Sequence, residues 1–385
     1  MGIGGAEKLI VEAAVGVQEA GHSVTIYTAY HNPHPKLSFP ATHDGSLDVR
    51  VHGNWLPYQA VGKFQLVKAL LRFTWLSFVV LYEHKKNPYD VIFVDQISAT
   101  LPIIKFFSGV KVVFYCHFPD QLLTRRDSFI KKMYRIPFDL LEEFTTNSAH
   151  EILVNSKFTA SVFKKTFKFL SRNPSILYPA VELKIKNQIE KDFSKGKPIQ
   201  FLSLNRYERK KNIQLALEAF ALLKDTQQWK NNHLSLVIAG GYSDKVQENV
   251  EHLKELMDRA AQLGIQDKVT FMTSLENEVR DKVIQEAVCL LYTPSNEHFG
   301  IVPLEAGLLS TAVIACNSGG PLETVEDGKT GYLVEPIPEN WSRVMKKAVE
   351  DPKHFVEMGK AGRKRVNTHF SRKQFVARLV EALKP

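Results

Sequence analysis

The sequence predicts an α/β protein made of two doubly wound, Rossmann-like domains facing a cleft. Three observations carry that reading. The chain has 385 residues, enough for two full cores. Short apolar runs alternate with helical patterns through both halves, as in parallel sheets with crossover helices. Between the halves, Glu182 to Pro198 is rich in Lys and poor in large apolar residues, as a linker would be.

The elements follow in order. Strand candidates in the first half are Ser23–Thr28, Asp48–His52, Val91–Val94, Lys111–Tyr115, Ile152–Val154 and Ser175–Leu177. Those in the second are Ile199–Leu204, Leu234–Ala239, Val269–Met272, Val288–Tyr292, Ala312–Ala315 and Gly331–Val334. The expected boundaries are 1–181 for the N-terminal domain, 182–198 for the linker and 199–368 for the C-terminal domain. Residues 369–385 form a last helix, over Gln374–Leu383, expected to return to the N-terminal domain.

The opening is unusual. Gly2, Gly4 and Gly5 lead straight into a helical pattern, whereas a glycine-rich loop of this kind normally follows a buried strand. In a doubly wound sheet that strand is central. Its absence should leave two inner strand edges without ladder partners. The expectation is a shortened form of a longer chain.

Four loops fall at strand ends on one edge of the second sheet, where ligands of open α/β folds bind. Glu297 lies between the strand ending at Tyr292 and a helix expected over Pro303–Leu309. Eight residues on, Glu305 should sit in the first turn of that helix. Phe299, Gly300, Ile301 and Val302 lie between them, where a helix N-terminus offers free N–H groups to an anion. Arg206 and Lys211 follow the strand Ile199–Leu204; a guanidinium and an ammonium there suit a diphosphate. Gly240 and Gly241 end the next strand and would let backbone approach a ligand. Gly319 and Gly320 belong to the fourth loop. Carboxylates for hydroxyls beside groups for phosphate point to a nucleoside diphosphate carrying a sugar. In the first half, His117 and Asp95 end neighbouring strands; a core histidine and a loop cap are their bland alternatives.

Composition narrows the class. Hydrophobic residues make up 44% and charged residues 24%, which argues against disorder and against a multi-span membrane protein. The net charge of +9 favours anionic partners. No nucleic-acid module is visible, so nucleic acid is not expected. Cys116, Cys289 and Cys316 fit reduced, buried thiols. No metal-binding acidic pair is evident. Phe64 to Tyr82 is apolar and aromatic but carries Lys68 and Arg72. It fits an interface-bound helix better than a spanning one, with a core helix as the alternative. Arg125, Arg126, Lys131, Lys132 and Arg135 form a basic helical segment suited to membrane phosphate or a lipid pyrophosphate, with a solvated helix face as the alternative.

Pro294-Ser295-Asn296-Glu297-His298-Phe299-Gly300 and Glu305 resemble the E-x7-E signature of retaining GT-B glycosyltransferases. Tyr115 to Asp120, Thr124 to Phe129, Val154 to Thr159, Ser203 to Asn212 and Tyr292 to Gly300 narrow the resemblance. They are similar to the eukaryotic α-1,3/α-1,6-mannosyltransferases of dolichol-linked oligosaccharide assembly. The resemblance covers almost the whole chain and implies the following. GDP-mannose is the donor substrate, with no cofactor and no metal. The acceptor is a dolichol-diphosphate-linked oligosaccharide, extended first through an α-1,3 and then an α-1,6 link at the cytosolic face of the endoplasmic reticulum membrane. Residues 1–181 would bind acceptor and 199–368 donor. Glu297, Lys211, Arg206 and His117 would be catalytic. Glu305, Phe299, Gly300, Ile301, Val302, Gly240 and Gly241 would bind donor; Gly2, Gly4, Gly5 and Asp95 would serve acceptor or phosphate. The membrane surface and other mannosyltransferases of the pathway are expected partners. Two alternatives stay open: an inactive scaffold for other mannosyltransferases, and a related enzyme using another nucleotide sugar.

Overall fold

The computed structural model describes residues 5–385 except 33, 35–37, 57–64, 124–128, 171, 183–188, 190, 192, 194–197 and 232. Gly2, Gly4, Arg125, Arg126 and most of the expected linker lie outside the described residues. The chain forms two compact units, Met1–Ala180 with Arg372–Pro385, and Val181–Ser371.

The first unit runs α1 (Gly5–Glu19), β1 (Thr25–Thr28), β2 (Asp48–Val51), α2 (Gln65–Lys86), β3 (Val91–Asp95), α3 (Leu101–Ser108), β4 (Lys111–Cys116), α4 (Asp120–Leu123), α5 (Phe129–Thr146), β5 (Glu151–Val154), α6 (Lys157–Thr166) and β6 (Ser175–Ile176). The second runs β7 (Ile199–Leu204), α7 (Gln214–Ala221), α8 (Gln227–Lys230), β8 (Leu234–Gly240), α9 (Gln247–Gln262), β9 (Val269–Thr273), α10 (Asn277–Glu286), β10 (Cys289–Tyr292), α11 (Ile301–Leu308), β11 (Ala312–Cys316), α12 (Pro321–Thr324), β12 (Gly331–Val334), α13 (Pro338–Glu350) and α14 (Pro352–His369). Helix α15 (Arg372–Leu383) ends the chain and belongs to the first unit, where it packs on α1.

The second unit holds one six-stranded sheet in the order β12-β11-β10-β7-β8-β9, every pair parallel. Read from the far side this is 3-2-1-4-5-6, the Rossmann order. Its strands are buried on both faces, which is why they read as nearly continuous apolar runs. One core face gathers Phe201, Leu236, Ile238, Leu291 and Ile314 with Phe220, Trp341 and Phe355. The other gathers Leu202, Val237, Leu290 and Val313 with Ile284, Ala306 and Leu309. The order reverses between β7 and β10, so the loops after these strands diverge from a single crevice.

The first unit is parallel too, but divided. Strands β1 and β2 form one sheet and β3-β4-β5-β6 another. Among the described residues no ladder joins β1 to β3. Helix α1 spans the interval on one side. Its Leu9 and Ala13 pack with Val113 and Tyr115 of β4, and its Val11 and Ala14 with Ile26 of β1.

Candidate functional site

The crevice of the second unit is organised around Lys211 and Glu297. After β7 the chain makes one 3₁₀ turn, Arg209–Lys211, and stops at Asn212 with φ 49°. That turn brings Lys211 inward, leaving its side chain 11% exposed. Its Nζ lies 2.5 Å from Oε1 of Glu297, in the loop after β10. The Lys211 carbonyl accepts a 2.7 Å bond from Thr293 Oγ1, tying the two loops together a second time. Arg209 and Lys210 face away: Arg209 pairs with Glu251 and Glu255, Lys210 with Glu208. Arg206 does not join the pair. It is 62% exposed and lies 2.8 Å from Glu208.

The Glu297 loop is clamped from outside by the loop after β11. Asn296 takes φ 54°, and its N–H donates to Ser318 Oγ at 3.0 Å. The Gly320 N–H donates to the Glu297 carbonyl at 2.7 Å. A Cβ on Gly320 would lie 2.1 Å from the Phe299 carbonyl, so only glycine fits this approach. From below, Tyr292 packs against Glu297. Burial, and then the Glu297 charge, push its phenol well above its ordinary range.

Helix α11 begins at Ile301, two residues before the expected start. Gly300, with φ 79°, turns the chain into it. Pro303 is tolerated at the third position because no N–H in the first turn has a helical partner. Glu305 therefore stands in the second turn, not the first as expected. It is buried and lies 3.5 Å from Arg280 of α10. The N–H groups of Ile301 and Val302 stand in the first turn of α11, where no helical partner is available to them. Phe299, expected to face donor, is buried and packs on Phe370, 6.0 Å between ring centroids. Gly240 serves the fold: a Cβ there would lie 1.7 Å from the Asn205 carbonyl, and φ is 159°. The room read as space for ligand is thus filled by the β7 loop, while Gly241 lies against the Arg206 side chain.

The first unit has its own polar pair. His117 Nε2 and Asp95 Oδ1 are 2.7 Å apart at the C-terminal ends of β4 and β3. Asn155 donates to the His117 carbonyl at 3.0 Å, and the Tyr115 ring stands edge-on to the imidazole at 4.8 Å. Burial raises the Asp95 carboxyl above its ordinary value; the bond to His117 opposes this. Gly5 is the first residue of α1, and a Cβ there would meet open space.

Comparison with known proteins fits this architecture. Residues 3–185 match Glycosyltransferase Family 4 and residues 184–365 match Glycosyl transferases group 1. The chain is 43% identical to alpha-1,3/1,6-mannosyltransferase ALG2 of Dictyostelium discoideum, over 98% of this chain and 94% of that protein. It is 43% identical to the Homo sapiens protein of the same name, over 98% and 92%. The chain belongs to the alpha-1,3/1,6-mannosyltransferase family. Sucrose-phosphate synthase from Thermosynechococcus elongatus, 19% identical, shares the fold with a TM-score of 0.76 over 98% of this chain and 92% of that one. The fold is GT-B.

Several residues around the two polar pairs of this mannosyltransferase escape sequence reading. Thr293 and Tyr292 read as strand end and core, yet both hold the Lys211–Glu297 pair. Arg280 reads as one charge on a solvated helix; its partner Glu305 is 25 positions away in sequence. Glu142, in the C-terminal part of α5, accepts N–H bonds from Asp120 (2.6 Å) and Gln121 (3.0 Å) and anchors the chain just after His117. A signal for it exists in the Pro119-Asp120 helix start, which leaves N–H groups in need of an acceptor. Arg135, grouped above with a lipid-facing basic segment, is buried and pairs with Asp120 at 3.0 Å and Asp139 at 3.4 Å. A guanidinium flanked by two carboxylates is held inward.

Proposed function

We propose that this mannosyltransferase uses GDP-mannose to extend a diphosphodolichol-linked mannosyl-chitobiose. The first mannose enters through an α-1,3 link and the second through α-1,6, in assembly of the N-glycan precursor. The reading rests above all on the Lys211–Glu297 pair at the switch point of the second sheet, beside the start of α11. In the free protein each charge compensates the other. A donor would separate their tasks. Its diphosphate would take Lys211, with Arg206 and the N–H groups of Ile301 and Val302. Its mannose hydroxyls would take Glu297. Glu305 would bind ribose hydroxyls, oriented by Arg280.

The chemistry then follows from charge. The bond from the anomeric carbon to the phosphate oxygen breaks, and negative charge grows on GDP while the sugar becomes oxocarbenium-like. Lys211 stabilises the first charge and Glu297 the second. The acceptor oxygen bonds to the anomeric carbon on the face the phosphate leaves. Its proton passes to the departing phosphate oxygen, and configuration is retained. In the first unit, His117, positioned by Asp95, would contact substrate.

A membrane surface completes the reading. Leu71, Trp75, Phe78 and Tyr82 are exposed at helical spacing along one side of α2. Phe129, Met133, Ile136, Leu140 and Phe144 do the same on α5, and Phe106 and Phe107 on α3, which packs on both. Solvent-facing apolar stripes of this size suit the interfacial layer of a bilayer. Among the described residues no helix is long and apolar enough to cross one. The acceptor's dolichol would reside in that bilayer, at the cytosolic face of the endoplasmic reticulum. The test of the donor assignment is calorimetric titration with GDP-mannose and UDP-glucose. Selective GDP-mannose binding, weakened in Lys211→Met and Glu305→Gln, supports it. Preference for UDP-glucose, or binding indifferent to both substitutions, would overturn it.

A further inference from the structure

Helix α5 turns its polar side inward, the reverse of an ordinary surface helix. Its apolar residues Met133, Ile136, Leu140 and Phe144 are exposed, whereas Arg135, Thr145 and Thr146 are buried. Arg135, Asp139, Glu142, Thr145 and Thr146 recur at steps of three or four, apart from the last adjacent pair, which puts them on one side of the helix. Buried polar groups are costly unless they find partners. On this side, the partners of Arg135, Glu142 and Thr145 lie in the two loops that carry His117 and Asp95.

Glu142 holds the His117 loop. Its Oε1 accepts the Asp120 N–H at 2.6 Å and its Oε2 the Gln121 N–H at 3.0 Å. Arg135 takes the Asp120 carboxylate at 3.0 Å, so α5 grips one residue by both backbone and side chain. Only Phe118 and Pro119 separate His117 from this point, and the proline ring limits how that link can turn. Asn155, just after β5, fixes the His117 carbonyl. Thr145 holds the other loop. Ser98, three residues after Asp95, places its Oγ 2.9 Å from Thr145 Oγ1 and 3.3 Å from the Glu142 carbonyl. Both members of the His117–Asp95 pair are thus braced on one stretch of α5.

The pair also defines the imidazole. Nε2 lies 2.7 Å from Asp95 Oδ1. An ionised carboxylate only accepts hydrogen bonds, so Nε2 bears the hydrogen and Nδ1 is left for substrate. We propose that Glu142 is a positioning residue for mannose transfer. By holding the start of α4 it keeps the His117 imidazole in register with Asp95, and Thr145 braces the Asp95 side through Ser98. This rests on the reading that His117 contacts substrate. Glutamine cannot replace the carboxylate, because its amide has one oxygen and an NH2 that would face an N–H. Glu143, the next residue, offers a comparison: its carboxylate accepts the Phe169 N–H, outside both loops.

Heteronuclear NMR of the histidine ring nitrogens, with mannose transfer measured on the same samples, tests this. At pH 8 Glu142 is above the value of about 7 to which burial lifts it, and it accepts both N–H groups as a carboxylate. Wild type should show His117 as the Nε2–H tautomer. In Glu142→Gln the two ring nitrogens should move toward the shifts of a mixed population, and kcat should fall about 10- to 100-fold. KM for GDP-mannose should stay within about threefold, because the donor's expected contacts lie in the second unit. Glu143→Gln should match wild type in shifts and kcat. Thr145→Val, which removes the hydroxyl beside Ser98, should repeat the Glu142→Gln result in milder form and decides the matter if Glu142→Gln does not fold. Unchanged His117 shifts in folded Glu142→Gln, or equal changes in Glu143→Gln, overturn the proposal. Shifted nitrogens with unchanged kcat would uphold the hold on His117 and remove that histidine from the reaction, so the two readings fail separately.

Discussion

Removing the Lys211 ammonium should damage this protein in two separable ways. Lys211→Met keeps the length of the side chain and its packing, so the perturbation is electrostatic. Glu297 then loses a partner 2.5 Å away while remaining only 26% exposed. Removing one member of a fully buried pair costs about 3–5 kcal/mol. Solvent reaches Glu297, so roughly 1–3 kcal/mol is the reasonable loss of folding stability. Glu297→Gln strands Lys211 in the same way. The double variant leaves neither charge alone and should recover part of the sum, a coupling of about 1–2 kcal/mol. Activity should behave differently. Losing one preorganised group at a developing charge lowers kcat by about 10²–10³, and the double variant should regain none of that. Chemical denaturation gives the stabilities; mannose transfer to a lipid-linked acceptor in liposomes gives kcat. A folded Lys211→Met protein that turns over within about threefold of wild type would refute the reasoning. So would additive stability losses.

Three further outcomes follow from the same structure. Gly320→Ala places a Cβ 2.1 Å from the Phe299 carbonyl and must displace the Glu297 loop; thermal melts should show a loss of roughly 2–4 kcal/mol, with donor binding weakened as well. Burial lifts the Glu142 carboxyl from 4.5 to about 7, against the opposing pull of its two amide bonds. A raised carboxyl favours the folded state below pH 4.5 and loses that contribution as pH climbs through about 7. Melts from pH 4 to 8 should therefore show wild type losing roughly 1–3 kcal/mol relative to Glu142→Gln across that window. Replacing Trp75, Phe78 and Tyr82 of α2 by Ser should reduce liposome flotation about tenfold or more while leaving soluble-donor binding unchanged; undiminished flotation would remove α2 from the membrane surface.

The sequence disclosed the strands because a parallel sheet buried on both faces writes itself as unbroken apolar runs. Ile199–Leu204 and Gly331–Val334 match their observed bounds, and most others differ by a residue or two. Lys211 and Glu297 were legible as loop residues at neighbouring strand ends, and the sheet order places those ends side by side. What stayed hidden depends on tertiary packing. Gly240 and Phe299 look ligand-facing in one dimension, but the β7 loop and Phe370 occupy those directions. Glu305 shifted by a turn because Gly300, not Pro303, sets where α11 begins. Arg280 and Glu142 act through partners brought near only by the fold. The exposed stripes on α2 and α5 could not be told from core faces by periodicity, which marks an apolar side without saying what covers it.

The most direct measurement is the mass and linkage of the product formed from GDP-mannose and a diphosphodolichol-linked mannosyl-chitobiose in liposomes, with Glu297→Gln alongside. Growth by two mannoses, one α-1,3 and one α-1,6, lost in the Gln variant, is the predicted result. Transfer from another nucleotide sugar in preference to GDP-mannose, or transfer undiminished in Glu297→Gln, would contradict the account.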